Sequence, residues 1–170
     1  MKNDLLIEQY ESEIKRLKDE ILKYKYDNLT RLPLRSDFIQ HMDNLINEVK
    51  MFQRHFIFVM IDVNDLKKIN TDYGYVYGDA YIKRVANDLI STFNEYNIYR
   101  IGGDEFCMVK VGNNIKETAD KLNELDNISY GLVESKKIKH SHLDTKKMIE
   151  IVDRIIKRKK RKIKKRKSDV

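Results

Sequence analysis

The run His55–Ile61 (HFIFVMI) constrains this chain more than any other segment. It is apolar almost throughout and rich in aromatic and β-branched residues, so it reads as a buried strand. Ile98–Ile101 reads as a second strand and Phe106–Val111 as a third, joined through Gly102-Gly103, whose glycines tolerate the positive φ of a hairpin turn. Between the first two strands, residues 76–95 have helical spacing, with Val76, Ile82, Val85, Ala86, Leu89 and Ile90 forming a stripe. Residues 115–125 read as a short helix, Ile128–Val133 as a fourth strand interrupted by Gly131, and 144–166 as a final helix. The order β-α-β-β-α-β predicts a ferredoxin-like α+β fold, an antiparallel sheet with helices on one face.

Upstream, residues 3–26 read as one helix. Ile7, Tyr10, Ile14, Leu17, Ile21 and Tyr24 are spaced 3-4-3-4-3. That seam favours a parallel two-stranded coiled coil; an amphipathic helix folded onto its own domain is the alternative. Asp27-Asn28-Leu29-Thr30 breaks the pattern, the single proline, Pro33, marks a junction, and Ser36 is the expected N-cap of a helix to about residue 52. The expected division is a dimerisation helix at 1–26, a domain at 27–164, and a basic tail at 154–170 that overlaps the last helix. With only about 26 residues ahead of the domain, no sensor domain is expected in this chain.

The net charge of +7 is a misleading average. Residues 154–170 hold eleven Lys/Arg and one acid, so the rest of the chain is mildly acidic. The tail suits an anionic partner, whereas the body is no general nucleic-acid binder. One cysteine, Cys107, excludes an internal disulfide and suits a reducing cytoplasm; its strand position points it to the core. No apolar run reaches the length of a membrane span, and the N-terminus lacks a signal-peptide stretch. His140 and His142 read as a solvated loop, and the ten tyrosines form no stacking cluster.

Acidic residues stand where strands end. Asp62 follows the apolar strand, and Asp104-Glu105 sits at the Gly-Gly hairpin. In this topology the first and third strands are neighbours, which can bring Asp62 beside Asp104 and Glu105. Converging carboxylates repel, and a divalent cation relieves the repulsion. Oxygen ligands of this kind suit Mg²⁺, which is held by one or two carboxylates plus substrate phosphates. Gly102 and Gly103 would let a triphosphate approach the backbone. Equally, an Asp after a strand is a common turn or cap residue, and Gly-Gly-Asp-Glu can be a solvated hairpin tip.

Arg100-Ile101-Gly102-Gly103-Asp104-Glu105-Phe106 resembles the signature of the GGDEF diguanylate cyclases. Asp27-x-Leu29-Thr30-x-Leu32-Pro33 resembles the family's DxLTGLPNR motif, and Asp62-Val63-Asn64-Asp65-Leu66-Lys67-Lys68-Ile69-Asn70 its DIDxFKxIN segment. Tyr73-Gly74-x-x-x-Gly78-Asp79 resembles YGHxxGD, and Ser129-Tyr130-Gly131 the SxG strand. The resemblance implies a palm-type domain that condenses two GTP into cyclic di-GMP, with two Mg²⁺ (or Mn²⁺) per half-site and two half-sites facing each other in a homodimer. It implies that Asp62, the Val63 carbonyl, Asp104 and Glu105 serve the metals and that Asp104 helps deprotonate the attacking 3′-hydroxyl. Asn70 and Asp79 would bind the guanine edge, Lys67 would lie near the phosphates, and Lys160 and Lys164 would bind the triphosphate.

The sequence departs from the family pattern at several places. Arg31 replaces the glycine of LTGL, Leu34 the asparagine of that motif, Leu66 a phenylalanine, Thr71 an aspartate, Tyr75 the histidine of GHxxGD, and Ile163 the glycine of a final GRN motif. The segment from Lys110 to Asn127 is short, and the inhibitory RxxD, which would fall on Phe93–Tyr96, is absent. These changes keep two further readings open: a catalytically silent receptor for GTP or cyclic di-GMP, and a binder of anionic polymer or membrane through the tail.

Overall fold

The computed structural model describes residues 2–112, 114–138 and 143–168. The side chains of residues 2–5, 19, 23 and 162–168 lie outside that description, as do His140 and His142 entirely. Helix α1 (Lys2–Lys25) precedes α2 (Arg35–Phe52) and strand β1 (Phe56–Val63). Then come α3 (Leu66–Tyr73), α4 (Tyr75–Thr92), β2 (Asn97–Arg100), β3 (Glu105–Val111), α5 (Ile115–Asn123), β4 (Ile128–Glu134), a 3-10 turn at Ser135–Lys137, and α6 (Thr145–Ser168). The sheet order is β2-β3-β1-β4 with every pairing antiparallel, the expected α+β architecture.

The sheet is covered on both faces, not on one as expected. Ile57, Val59, Ile61 and Val63 pack with Ile82, Val85, Ala86, Leu89 and Leu122 of α4 and α5. Phe56, Phe58 and Met60 pack with Phe38, Met42 and Val49 of α2 and Met148, Val152 and Ile156 of α6. The physical reason is visible in β1 itself: it is apolar without alternation, and such a strand needs cover on both sides. Each of these large side chains contributes about 1.5–3 kcal/mol on burial.

Local details differ from expectation where tertiary contacts prevail. Ser36 is not the N-cap of α2; Leu34 is, without a side-chain cap bond. Backbone ties set the helix start instead, with the Leu34 N–H donating to the Lys25 carbonyl at 3.0 Å and the Arg100 N–H to that of Pro33 at 3.0 Å. Val76 and Ile90 are exposed, at 82% and 42%, and do not belong to the buried stripe of α4. The first turn of α4 packs Gly78, not Val76, against α3, and Ile90 is turned away from the face that buries Leu89. Helix α3 is itself unforeseen: it has only eight residues and buries none of them fully, so its short stripe of Leu66, Ile69 and Tyr73 is a weak signal. On α1, the seam residues Ile7, Tyr10, Ile14, Leu17, Ile21 and Tyr24 are all exposed, so α1 is not folded onto the domain.

Gly131 explains how α6 lies on β4. A Cβ there would stand 2.7 Å from the Val152 carbonyl oxygen and 2.8 Å from Val152 Cγ1. The glycine is a close-approach residue, and helix backbone cannot yield as a flexible side chain would. Gly131→Ala is therefore expected to lower stability by about 1–3 kcal/mol in urea unfolding, and an unchanged unfolding midpoint would contradict this packing.

Candidate functional site

The site is assembled at one end of β1 and β3. Their register places Asp62 opposite Glu105, and the Val63 N–H donates to the Asp104 carbonyl at 2.9 Å. The loop between β2 and β3 closes tightly because the N–H groups of Ile101 and Gly102 both donate to the Glu105 carbonyl, at 2.9 and 3.3 Å. The Glu105 carboxylate folds over Gly102, where a Cβ would meet its Oε2 at 2.7 Å. Nothing lies within 4 Å of a Cβ built on Gly103, so the loop is open there.

Gly103 borders two clefts. One, of about 370 Å³, is lined by Leu66, Lys67, Asn70, Thr71, Tyr75, Gly103 and Asp104. The other, of about 490 Å³, runs past Arg35, Ser36, Arg100 and Gly102. In the first, α3 and α4 are locked together through Asn70 and Gly78: any Cβ at Gly78 would fall 1.8 Å from Asn70 Oδ1. That amide oxygen is buried and has no hydrogen-bond partner among the described residues. A buried acceptor left unpaired is rare and costly, and here the close packing against Gly78 is what closes it off.

Lys160 of α6 reaches Asp62 and pairs with its carboxylate. Its neighbour Lys159 lies over the Tyr130 ring, 3.7 Å from the centroid, and burial there lowers the pKa of its ammonium. The segment after Asp62 is braced as well. Asp65 takes a left-handed conformation with φ 58°, and Asn64 Oδ1 accepts the Ser129 hydroxyl at 2.7 Å.

The structure thus gathers Asp62, Val63, Lys67, Asn70, Gly102, Gly103, Asp104, Glu105 and Lys160 around one sheet end. Asp79 is exposed and stands outside the lining of the Asn70 cleft. The Lys164 side chain falls outside the described residues. Among those residues no three His, Cys, Asp or Glu side chains already form a metal-holding group. The donor chemistry nevertheless fits Mg²⁺: the carboxylates sit on paired strand ends, and this ion completes its shell from water and substrate phosphate. Cys107 is fully buried, and burial pushes its thiol well up, with the Glu105 charge adding to the effect, so it is inert.

A charged clasp went unassigned in the sequence. Arg100 Nη1 donates to Asp27 Oδ1 at 2.7 Å, Nη2 to the Gly103 carbonyl at 2.6 Å, and Nε to the Gly102 carbonyl at 3.2 Å. Asp27 also accepts the Thr30 N–H and hydroxyl, at 2.8 and 2.7 Å. The partners lie 73 residues apart, so no local spacing signals the pair. Burial alone would raise the Asp27 carboxyl, but the Arg100 and Thr30 hydrogen bonds outweigh it and hold it below the ordinary value.

Residues 24–142 match the family model described as "Diguanylate cyclase, GGDEF domain". The chain belongs to this family. An uncharacterized membrane protein of Staphylococcus aureus strain USA300 is 30% identical over 129 residues, covering 75% of this chain and 34% of that protein. A protein of strain Mu50, described in the same words, matches to the same extent. The chain spans about a third of the length of the curated relatives it matches. Among solved structures, the coiled coil and GGDEF domain of DgcB from Caulobacter crescentus in complex with c-di-GMP superposes with a TM-score of 0.78 at 19% identity, covering 95% of each chain. The FimX GGDEF domain from Pseudomonas aeruginosa gives 0.71 at 18% identity, covering 81% of this chain and 94% of that one. Likeness at these identities shows the fold. No described helix is long and apolar enough to cross a membrane.

Asp27→Asn is expected to cost about 1–3 kcal/mol at neutral pH in urea unfolding, since it leaves Arg100 short of its anion. The folded carboxyl is depressed, so its contribution is present above the ordinary aspartate value of about 4 and is lost as pH falls through the folded value. The stability gap between wild type and variant therefore narrows in acid; a gap that held constant on acidification would contradict the clasp.

Proposed function

We propose that the chain is a diguanylate cyclase that condenses two GTP into cyclic di-GMP and two pyrophosphates. The observation that carries the reading is the opposition of Asp62 and Glu105 across β1 and β3, with Asp104 beside them and the Asn70 cleft adjoining. In this reading Asp62, the Val63 carbonyl, Asp104 and Glu105 hold two Mg²⁺ or Mn²⁺. When bound, these ions would offset the charge on the triphosphate and on the departing pyrophosphate.

The chain's own residues do the rest. Asn70, which lines the cleft, pairs its amide with the guanine edge, where an amide can act as donor or acceptor. Asp79, exposed one residue beyond Gly78, supplies the second guanine contact if the nucleotide extends past the cleft lining. Gly102 and Gly103 let the phosphates approach the loop backbone, and Lys67, Lys160 and Lys164 provide positive charge. Asp104 takes the proton of the 3′-hydroxyl as its oxygen bonds to the α-phosphorus of the other nucleotide. The bond from that phosphorus to the β-phosphate oxygen breaks, and pyrophosphate leaves.

Each chain offers one nucleotide site, so the reaction needs a second copy facing the first. We assign that pairing to α1, whose exposed seam from Ile7 to Tyr24 suits a parallel coiled coil and raises the effective concentration of one half-site near the other. The reaction is placed in the cytoplasm, where GTP is found, and the domain is taken to run over 27–164. The basic end of α6 suits an anionic partner, whose binding would weaken steeply with salt. A second reading, a silent nucleotide receptor, draws on Tyr75 in the cleft lining and on Asp79 outside it.

Asp104→Ala is expected to keep its fold and its GTP affinity within severalfold while pyrophosphate release falls by at least about a hundredfold, on the scale of losing a catalytic proton acceptor. Wild-type-like turnover in that variant would contradict the cyclase reading. Tight GTP binding without pyrophosphate release from the wild-type protein would favour the receptor.

A further inference from the structure

Three acidic residues, Asp62, Asp104 and Glu105, stand at the ends of β1 and β3, and the described residues supply one of them with a cation. Lys160, 98 positions from Asp62 in sequence, pairs with it. The pair is partly buried, with the Lys160 side chain 37% and that of Asp62 22% exposed. Asp104 and Glu105 have no paired cation among the described residues, although Glu105 lies opposite Asp62 in the strand register.

The reach of Lys160 is built into the packing of α6. Val152 and Ile156 lie against Gly131 of β4, and Lys159 is fixed over the Tyr130 ring. With the helix register set on both sides, the next residue arrives at the end of β1. A lysine ammonium on a flexible stem balances a carboxylate charge without committing the site, because it can leave when a stronger cation comes. A divalent ion that binds Asp62 must take the same oxygens.

We propose that Lys160 is a positioning residue that serves as a placeholder cation at Asp62, is displaced by the arriving divalent metal, and thereby frees its ammonium for the phosphates of the nucleotide. This rests on the cyclase reading, which places both metal and triphosphate here. It assigns Lys160 two opposite effects. In the nucleotide-free protein it competes with the metal, because only the fraction of molecules with Asp62 unpaired can bind. With nucleotide present it favours the loaded site. A lysine that merely stabilised α6, or merely met phosphate, would not oppose the metal.

The test is Mn²⁺ titration of the nucleotide-free full chain, followed by electron paramagnetic resonance of free Mn²⁺. Lys160→Met and Lys160→Gln are compared with wild type, and Asp62→Ala in each background isolates the ion bound at this carboxylate. The expected result is Asp62-dependent Mn²⁺ binding about two- to tenfold tighter in both Lys160 variants, the range set by losing a partly exposed ion pair. Binding of a non-hydrolysable GTP analogue with Mg²⁺ should weaken severalfold in the same variants. Unchanged or weaker Mn²⁺ binding in folded variants overturns the proposal, and so does the absence of Asp62-dependent binding in every background. Wild-type cyclic di-GMP formation, scored separately, tells whether the cyclase reading falls with it. A measurement without substitution covers variants that fail to fold: amine acetylation of wild-type protein, read by peptide mass spectrometry, should label Lys160 faster when Mg²⁺ is added. Labelling that is independent of Mg²⁺ overturns the exchange.

Discussion

The antiparallel register of β1 against β3 sets what this molecule can do. It places Asp62 opposite Glu105 at the same end of the two central strands and brings Asp104 into the loop beside them. Like charges opposite one another across strands oppose folding. The register holds because β1 packs into a different core on each face, so slipping it by one residue would exchange Ile57, Val59 and Ile61 with the larger Phe56, Phe58 and Met60 and misfit both layers. The core energetics therefore fix a charged arrangement that the carboxylates alone would not choose. Lys160 offsets part of that repulsion from the far end of the chain.

A second constraint links the site to the N-terminal helix. Asp27 follows α1 by two residues and is held by Arg100, whose guanidinium also binds the carbonyls of Gly102 and Gly103. The position of α1 and the shape of the Gly-Gly loop are thus tied through one side chain. The Tyr26–Pro33 and Leu34–Arg100 bridges add backbone contacts across the same junction. A displacement of α1 would be felt first at this clasp, a few residues from Asp104.

Much of this was legible in the residues. The apolar run ending on Asp62, the Gly-Gly pair and the strand order together implied the neighbouring of β1 and β3, and the structure has it. In the sequence Gly131 looks like an interruption of β4, whereas its reason lies in Val152, 21 positions away and invisible to local patterns. The second helical layer was missed because an all-apolar strand states that it is buried without saying what covers each face. Helix α3 spans only eight residues and buries none fully, so the spacing of Leu66, Ile69 and Tyr73 is too short a pattern to announce it. The Arg100–Asp27 clasp and the Lys160–Asp62 pair join residues 73 and 98 apart, and only the fold brings such charges together. The resemblance names Asn70, but its close packing on Gly78, which ties α3 to α4 at the edge of the cleft, is visible only in the fold.

The central claim is that the carboxylate end of β1 and β3 turns over GTP. Incubating the purified protein with Mg²⁺ and GTP, alone and mixed with ATP, and identifying the products by mass spectrometry tests it directly. The account predicts cyclic di-GMP with pyrophosphate and no adenine-containing dinucleotide. Folded protein with Mg²⁺ and GTP that yields no cyclic dinucleotide would contradict it, and an adenine-containing product would keep the chemistry while overturning the roles given to Asn70 and Asp79.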